Sequence, residues 1–220
     1  MKLKIPYMLL CVLLLLPAGG LKAQDYAASL RVSSVGLNLE GIRTFGSSFD
    51  ARLGFAWFNY NSLKGGGGAS DEYKYTGKVN LMSISALGDW FPFTNSIFRI
   101  SAGVFVNLNK ASMTLTPTKS KTIGGDTYTP DKLGNLSVDI NFPKVAPYIG
   151  IGLGNPTSGG PGLKFSFDIG TFYQGPPSAD LSATGLIEPS AAPDQEAQLN
   201  DNLSWFKWYP VIALGIIYKF

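Results

Sequence analysis

The residues of this sequence that could do chemistry are charged side chains that alternate with apolar ones along short segments. Eight of them would share an enclosed interior if the apolar face of each segment turned outward: Glu40, Asp50, Arg52, Asp89, Arg99, Asp139, Lys164 and Asp168. Acids and bases enclosed together can pair and fill the space between them. They can also line a constriction that selects small polar or charged solutes. The pattern leaves both interpretations open.

Catalysis by the common side-chain arrangements is excluded by composition. The chain has no histidine and one cysteine, Cys11, which lies in a segment that we expect to be removed. Without them there is no Ser-His-Asp or Cys-His catalysis and no usual zinc or haem ligand set. The spacing Gly150-x-Gly152-x-Gly154 suggests a nucleotide loop, but these glycines alternate with apolar residues and no helix follows. We expect no enzymatic activity, no cofactor and no metal site.

The first residues have the pattern of a secretory signal. Lys2 and Lys4 precede a short apolar run at 8–16, and small residues follow it up to Ala23. The run is shorter than the ~20 apolar residues of a membrane-spanning helix. The predicted organisation is a signal peptide at 1–23 and one domain at 24–220. Lys2, Lys4 and Lys22 account for the formal charge of +3, so the remainder is neutral and gives no argument for nucleic-acid binding.

The remainder consists of strand-length alternations separated by turn signals. The clearest is 98–109, where Arg99 falls on the face opposite Phe98 and Ile100. Eight such segments lie at 34–40, 49–57, 73–90, 98–109, 136–141, 147–154, 163–172 and 208–220. No segment after the signal is apolar for ~20 residues, which excludes a helical membrane protein. The predicted fold is all-β, a single antiparallel transmembrane barrel of about eight strands, with ten possible; an extra strand at 179–186, together with an irregular N-terminus, would change the parity.

The connections between these strands are less regular. Residues 65–72 and 111–132 are predicted to be polar loops, and 189–204 a short amphipathic helix before the last strand, with a disordered linker as the alternative for its first half. Within 73–90, Val79 and Leu81 fall on the face opposite Met82 and Ile84, which predicts a bulge. The short connections are the first, third and fifth. They would lie outside if the chain started in the periplasm, the reverse of the usual arrangement, so the strand parity stays open.

The end of the chain has a strand pattern about ten residues long with aromatic residues at both ends, which matches the dimensions of a membrane-spanning strand. One face of 208–220 is wholly apolar, and the other mixes small, apolar and charged residues. The ending Gly215-x-x-Tyr218-x-Phe220 resembles the C-terminal assembly signal of bacterial outer-membrane barrels, although Ala213 stands where that signal usually has a polar residue. Outer-membrane lipid and the barrel assembly machinery are therefore expected partners.

A family resemblance emerges from several short segments taken in order. They are 89–93 (DWFPF), 98–103 (FRISAG), 146–152 (APYIGIG), 168–170 with 173–175 (DIG and YQG), and 209–220. Together these are similar to small bacterial outer-membrane β-barrel proteins, the broad group that includes the outer-membrane porin W type and the ornithine-uptake porin type. The resemblance implies a Gram-negative outer-membrane barrel and covers nearly the whole of 24–220. It implies no particular substrate.

Two functions from different classes remain open on the sequence. One is a narrow or closed barrel for passive uptake of small polar solutes or for envelope structure. The other is a non-transporting structural or interaction barrel that meets partners through the loops at 65–72 and 111–132. A soluble secreted β-sandwich is a third alternative, because its strands show the same alternation as barrel strands. Electrical conductance separates the first two functions, and extraction without detergent would identify the third.

Overall fold

The computed structural model describes residues 25–66, 68, 71–93, 96–156 and 159–220. The predicted signal peptide and part of the loop at 65–72 lie outside the described residues. In chain order the strands are β1 (Tyr26–Ser33), β2 (Gly36–Phe45), β3 (Phe49–Gly66), β4 (Tyr73–Trp90), β5 (Phe98–Asn107), β6 (Lys110–Pro117), β7 (Lys121–Ile123), β8 (Asp126–Tyr128), β9 (Leu136–Asn141), β10 (Val145–Leu153), β11 (Gly162–Tyr173), β12 (Ser178–Ala183) and β13 (Trp208–Lys219). The helical segments are α1 (Pro130–Leu133), a 3-10 helix (Gly185–Ala191) and α2 (Pro193–Leu203).

Eight strands close into an antiparallel barrel. Their order around the ring is β4, β3, β2, β1, β13, β11, β10 and β5, and β5 pairs with β4 to close it. The first and last strands lie side by side, with Ala27 opposite Lys219 and Ser33 opposite Ala213. Each ring strand thus finds backbone partners on both sides, as a strand must where no water can satisfy it. The predicted single antiparallel barrel of about eight strands, with a short helix before the last strand, is confirmed.

The membership of the ring differs from the sequence prediction at two places. β1 was not predicted, because it follows directly after the signal-like segment and its alternation is short. The segment at 136–141 was assigned to the barrel, but as β9 it pairs with β6 and β12 and lies outside the ring. The suggested extra strand at 179–186 exists as β12, also outside the ring. The ring therefore has eight strands and not ten.

Adding β1 also resolves the apparent reversal of the connections. Residues 25 and 220 now lie at one end of the barrel, where Phe220 donates a backbone hydrogen bond of 3.1 Å to Tyr26. We call this the terminal end; the connections 46–48, 91–97 and 154–161 lie there. The opposite end, which we call the loop end, carries the turn at 34–35, the connection 67–72 and the two longest connections between ring strands, 108–144 and 174–207. Placing the longest connections at the end opposite the termini is the usual arrangement of outer-membrane barrels.

Beyond the loop end of the ring, β3 and β4 continue into a second sheet that we call the upper tier. β5 pairs with the half of β4 from Ser83 to Trp90, and β6 pairs with the half from Tyr73 to Asn80. β9 and β12 add to β6 in turn. The predicted polar loop at 111–132 is therefore mostly ordered structure. It contains most of β6, the hairpin β7–β8 and the start of α1.

The two halves of β4 have opposite polarity. In the ring, Met82 and Ile84 face outward while Ser83 and Ser85 are buried inside. In the upper tier, Lys78 and Asn80 face outward, and the inward positions carry Val79 and Leu81. The pairing with β3 is continuous from Trp90 to Val79, and the register shift lies in β3 between Tyr60 and Leu63. The predicted bulge in β4 is therefore wrong. The break in the sequence alternation arises because the apolar residues of β4 lie on the outward face in the ring and on the inward face in the upper tier.

The helix α2 covers the outer edge of the upper tier. Asn200 accepts a 2.7 Å hydrogen bond from the backbone N–H of Ala179 and donates one of 3.1 Å to its carbonyl. Glu196 accepts a hydrogen bond from the N–H of Leu181. These contacts satisfy groups of β12 that would otherwise form an open strand edge. No helix in the described residues has the length and hydropathy to cross a membrane.

Candidate functional site in the barrel interior

Three arginines and three carboxylates occupy the middle of the barrel. We call this set the lumen network: Arg31 on β1, Glu40 on β2, Arg52 on β3, Asp89 on β4, Arg99 on β5 and Asp168 on β11. Each is at most 4% exposed. Alternation along each strand delivers these side chains to one space, because every second residue of a barrel strand points inward. The network is electrically neutral as a whole.

Asp168 is the acid that all three arginines share. Its carboxylate lies 2.7 Å from Nη2 of Arg99 and forms a closer ion pair with Arg31. Nη2 of Arg52 lies 3.7 Å from its other oxygen. Three guanidinium groups around one carboxylate compensate the cost of burying that charge, provided that each guanidinium has another acid nearby.

The other two carboxylates supply those further contacts. Nε of Arg52 lies 2.6 Å from Asp89, and Nη2 of Arg31 lies 3.1 Å from Glu40. Arg52 also reaches Glu40 at 3.5 Å, and Arg99 reaches Asp89 at 3.8 Å. The ion pairs therefore run from strand to strand across the lumen. Such a continuous set of contacts holds opposite walls of the barrel together.

Uncharged side chains complete the hydrogen bonding of the acids. Ser29 donates a 2.7 Å hydrogen bond to Glu40, and Asn38 donates one of 3.0 Å to the other oxygen of the same carboxylate. Ser101 donates a 2.5 Å hydrogen bond to Asp89. Buried charges that are both paired and hydrogen-bonded are the kind that proteins tolerate.

Glycines on inward positions leave the room that these long side chains need. A Cβ at Gly152 would lie 2.5 Å from Oδ1 of Asp168 and 3.0 Å from Nε of Arg99. A Cβ at Gly215 would lie 2.6 Å from Cγ of Arg31. These inward glycines are therefore space-making residues beside the network.

An aromatic layer fills the lumen between the network and the loop end. Phe105 lies 5.3 Å from Tyr148 and 5.1 Å from Phe172, measured between ring centroids, and Phe172 stacks on Tyr209 at 4.9 Å. Together with Val35, Ala56, Leu87, Ala146 and Val211, these rings form the main buried cluster. Between this layer and the network lies a cavity of about 20 Å³, which is room for about one water molecule.

Three of the sequence-predicted charges lie outside the network. Asp139 is exposed on the outward face of β9, because that strand belongs to the upper tier, so its predicted place in the lumen is wrong. Lys164 lies toward the terminal end and donates to the carbonyls of Asn155 and Pro156. Asp50 is inward and 3% exposed, directly across from Asp89 in the sheet, and neither of its oxygens accepts a hydrogen bond from a described residue.

One central residue was missed by the sequence analysis. Arg31 is as buried as the other arginines and contacts two of the three acids. The signal that could have found it is the alternation of Ser29 and Arg31 with Leu30 and Val32, which is strand-like but short.

The residues of the predicted assembly signal all lie on β13 or directly after it. Tyr218 and Phe220 are half-exposed on the outward face, and their rings meet edge to face at 5.4 Å. Gly215 faces inward beside Arg31, so the same glycine also has a packing role in the lumen. Their recognition by assembly machinery remains a prediction.

Within the described residues, no group of three or more His, Cys, Asp or Glu side chains is arranged to hold a metal ion. The acids of the network are occupied by arginines. Chemically, the network can hold the barrel closed and can exclude solutes, and it presents no free nucleophile.

Comparison with known proteins supports the fold. No protein-family model matches the chain, and no curated protein matches its sequence. The crystal structure of Acinetobacter baumannii CarO2 is similar with a TM-score of 0.57 and 18% identity, over 89% of this chain and 98% of that one. The crystal structure of Acinetobacter baumannii CarO is similar with a TM-score of 0.57 and 16% identity, over 88% and 97% respectively. At these identities the likeness shows a shared barrel fold.

Proposed function

We propose that the chain is an outer-membrane β-barrel whose lumen is closed, and that its role is structural or interactive rather than transport. Membrane insertion and the absence of a pore rest on different observations. The first rests on the outer surface of the ring and the second on the lumen network. The likeness to the Acinetobacter proteins and the sequence resemblance to small outer-membrane barrels support the location.

The outer surface of the ring has the composition of a lipid-facing belt. Outward positions of β13 carry Ile212, Leu214 and Ile216, all exposed. Near the terminal end the outward residues include Phe45, whose ring lies 5.0 Å from the guanidinium carbon of Arg43. Near the loop end the outward residues include Trp57. Aliphatic residues between two aromatic zones match the lipid-facing belt of outer-membrane barrels, about 25 Å tall. A soluble protein would leave this apolar belt in water.

The lumen network is the observation that carries the closed-barrel proposal. Its arginines and acids span the ring from β1 to β5 and are almost completely buried. An aromatic layer fills the lumen between the network and the loop end. An open pore would need solvent contact along its lining, whereas the cavity at this level has about 20 Å³. Passive uptake of small polar solutes would require the ion pairs to separate.

The upper tier gives the barrel a surface for partners. It is built of five strand segments, and its outward face is polar, which suits exposure to water beyond the belt. With the termini in the periplasm, the loop end and the upper tier would face the outside of the cell. In this orientation the longest connections form a surface outside the cell that partners could bind.

Topology and location can be tested together with single cysteines, because the only cysteine of the sequence is Cys11 in the predicted signal. Lys121→Cys lies in the hairpin at the loop end, and Ser47→Cys is its matched control in the turn at the terminal end. Intact cells treated with a membrane-impermeant maleimide should label Lys121→Cys and spare Ser47→Cys. Membranes washed with carbonate should retain both variants. Release of the protein by carbonate would end the outer-membrane proposal, and labelling of Ser47→Cys alone would reverse the orientation.

A further inference from the structure

The outward face of the upper tier carries a polar cavity of about 430 Å³ directly beyond the apolar belt. Its lining includes four asparagines, two lysines, two aspartates and one serine: Asn59, Asn61, Asn80, Asn141, Lys78, Lys110, Asp139, Asp180 and Ser112. The volume is that of a small-molecule site. Nothing in the lumen network or in the closed barrel explains this cavity.

The cavity is electrically polarised. Register places Asn80 opposite Lys110, and Lys78 opposite Ser112, so the two lysines are diagonal neighbours on adjacent strands. Such neighbours have Cβ atoms about 7–8 Å apart, close enough for both ammonium groups to reach one anion. Neither lysine forms an ion pair with a described carboxylate within 4.0 Å. One end of the cavity therefore carries two cations, and Asp139, which is diagonal to Lys110 across β6 and β9, lies on the side toward the other end.

The other end is acidic and rich in amides. Asp139 and Asp180 lie directly opposite each other on β9 and β12. Asn141 donates a 2.9 Å hydrogen bond to Asp180, which leaves the carboxylate of Asp139 facing the cavity. Carboxylate and amide oxygens accept hydrogen bonds, and amide nitrogens donate them. A ligand that covers both ends would carry an anion at one end and several hydroxyl groups at the other.

The height of the cavity on the barrel identifies where such a ligand could come from. Asn59 is two residues beyond outward Trp57, and Asn80 is two residues beyond outward Met82. Successive outward residues on a strand are about 6.6 Å apart along it. The cavity thus begins at the level at which a lipid headgroup would replace the acyl chains.

We propose that this cavity binds the phosphorylated saccharide headgroup of an outer-leaflet lipid, with the phosphate at Lys78 and Lys110 and sugar hydroxyls at Asp139 and its amide neighbours. The inference rests on the proposed outer-membrane location. A simple anionic phospholipid would use the lysines and would be repelled by the aspartates, whereas a sugar phosphate uses both ends.

The test uses the refolded chain in detergent micelles, with folding verified by heat-modifiable gel mobility. The probe is lipid A, an acylated glucosamine disaccharide with two phosphates, and the measured quantity is its dissociation constant. The variant Lys78→Gln/Lys110→Gln should bind about tenfold more weakly, which corresponds to about 1.4 kcal/mol. The matched control is Lys64→Gln/Lys74→Gln, two lysines on the same face beyond the cavity, and it should stay within about twofold of the parent.

A second variant separates a sugar phosphate from a plain anion. Asp139→Asn/Asp180→Asn should weaken lipid A binding and should strengthen binding of phosphatidylglycerol, because it removes two negative charges near the phosphate position. Tighter lipid A binding by this variant would overturn the proposal, as would an equal loss of affinity in both lysine pairs.

The deacylated disaccharide bisphosphate distinguishes the headgroup from the acyl chains. It should compete with lipid A for the parent protein, and failure to compete at a hundredfold excess would refute headgroup recognition. If the chain proves not to be a membrane protein but the free disaccharide still binds, the cavity is a saccharide site and only the proposed location fails.

Discussion

Arg99 and Asp168 form an ion pair across a strand that lies between them, because the intervening residue is Gly152. In the sheet, Gly152 of β10 stands opposite Arg99 of β5 on one side and opposite Asp168 of β11 on the other. Nη2 of the arginine lies 2.8 and 2.7 Å from the two carboxylate oxygens. Because Gly152 has no side chain, the two charged groups can meet in the space next to its Cα atom.

Replacing Gly152 by alanine should destabilise the barrel. The new Cβ would lie 2.5 Å from Oδ1 of Asp168, so the ion pair would have to shift within a filled lumen. We expect a loss of about 2 kcal/mol in the free energy of unfolding, measured by urea titration in lipid vesicles. Gly41→Ala is the matched control, because a Cβ there meets nothing within 4 Å. A similar loss in both variants would show that the cost comes from replacing a strand glycine in general and not from a clash of the new Cβ with the lumen network.

Asp168→Asn should be among the most damaging single changes in the lumen. It removes the charge shared by Arg31 and Arg99, and buried cations without a counter-ion are costly. We expect a loss of about 3 kcal/mol in the same urea titration. Asp139→Asn should change the free energy of unfolding by less than about 0.5 kcal/mol, because this residue is exposed on the upper tier. The reverse ranking would place Asp139 in the lumen after all.

Asp50→Asn should stabilise the barrel or leave it unchanged. The carboxylate is buried opposite Asp89 and accepts no hydrogen bond from the described residues, so neutralising it removes a repulsion. We expect a gain of up to about 1 kcal/mol. Asp89→Asn is the comparison, and it should cost about 2–3 kcal/mol because Arg52 and Ser101 depend on it. Equal losses in the two variants would show that Asp50 has a partner.

The change of polarity along β4 predicts where the membrane ends. Spin labels at single cysteines replacing Lys78, Asn80, Ile84 and Ala86 all lie on one outward face. In lipid vesicles, collisions with oxygen should dominate at 84 and 86, and collisions with a water-soluble nickel complex should dominate at 78 and 80. A bulge between 80 and 84 would instead place the labels at 78 and 80 on the face opposite the labels at 84 and 86. Uniform exposure to nickel at all four positions would contradict insertion of the ring.

Much of the barrel could be predicted from alternation alone, because lipid-facing and inward positions differ strongly in polarity over eight to twelve residues. The faces of β5 and β13 and the inward placement of Arg99 and Asp168 follow in this way. β1 was not predicted because its pattern is brief and follows directly after the signal-like segment. Its omission shifted the parity of all later strands and produced the apparent reversal of the loops.

The upper tier could not be predicted for a different reason. Its strands reverse the polarity rule of the ring, with apolar residues such as Val79 and Leu81 inward and polar ones outward, as in a soluble sheet. A single rule applied to the whole of β4 therefore predicted a bulge. For β9 the same rule placed Asp139 in the lumen, since sequence alternation fixes the two faces of a strand but not the sheet that the strand joins.

Single-channel conductance tests the central claim, that the ion pairs and the aromatic layer keep the lumen closed. The parent chain, refolded and inserted into planar lipid bilayers, should show no unitary current steps above background in 1 M KCl, while vesicles from the same preparation show the heat-modifiable folded band. Reproducible steps that grow with KCl concentration would contradict the closed barrel and would establish an open pore.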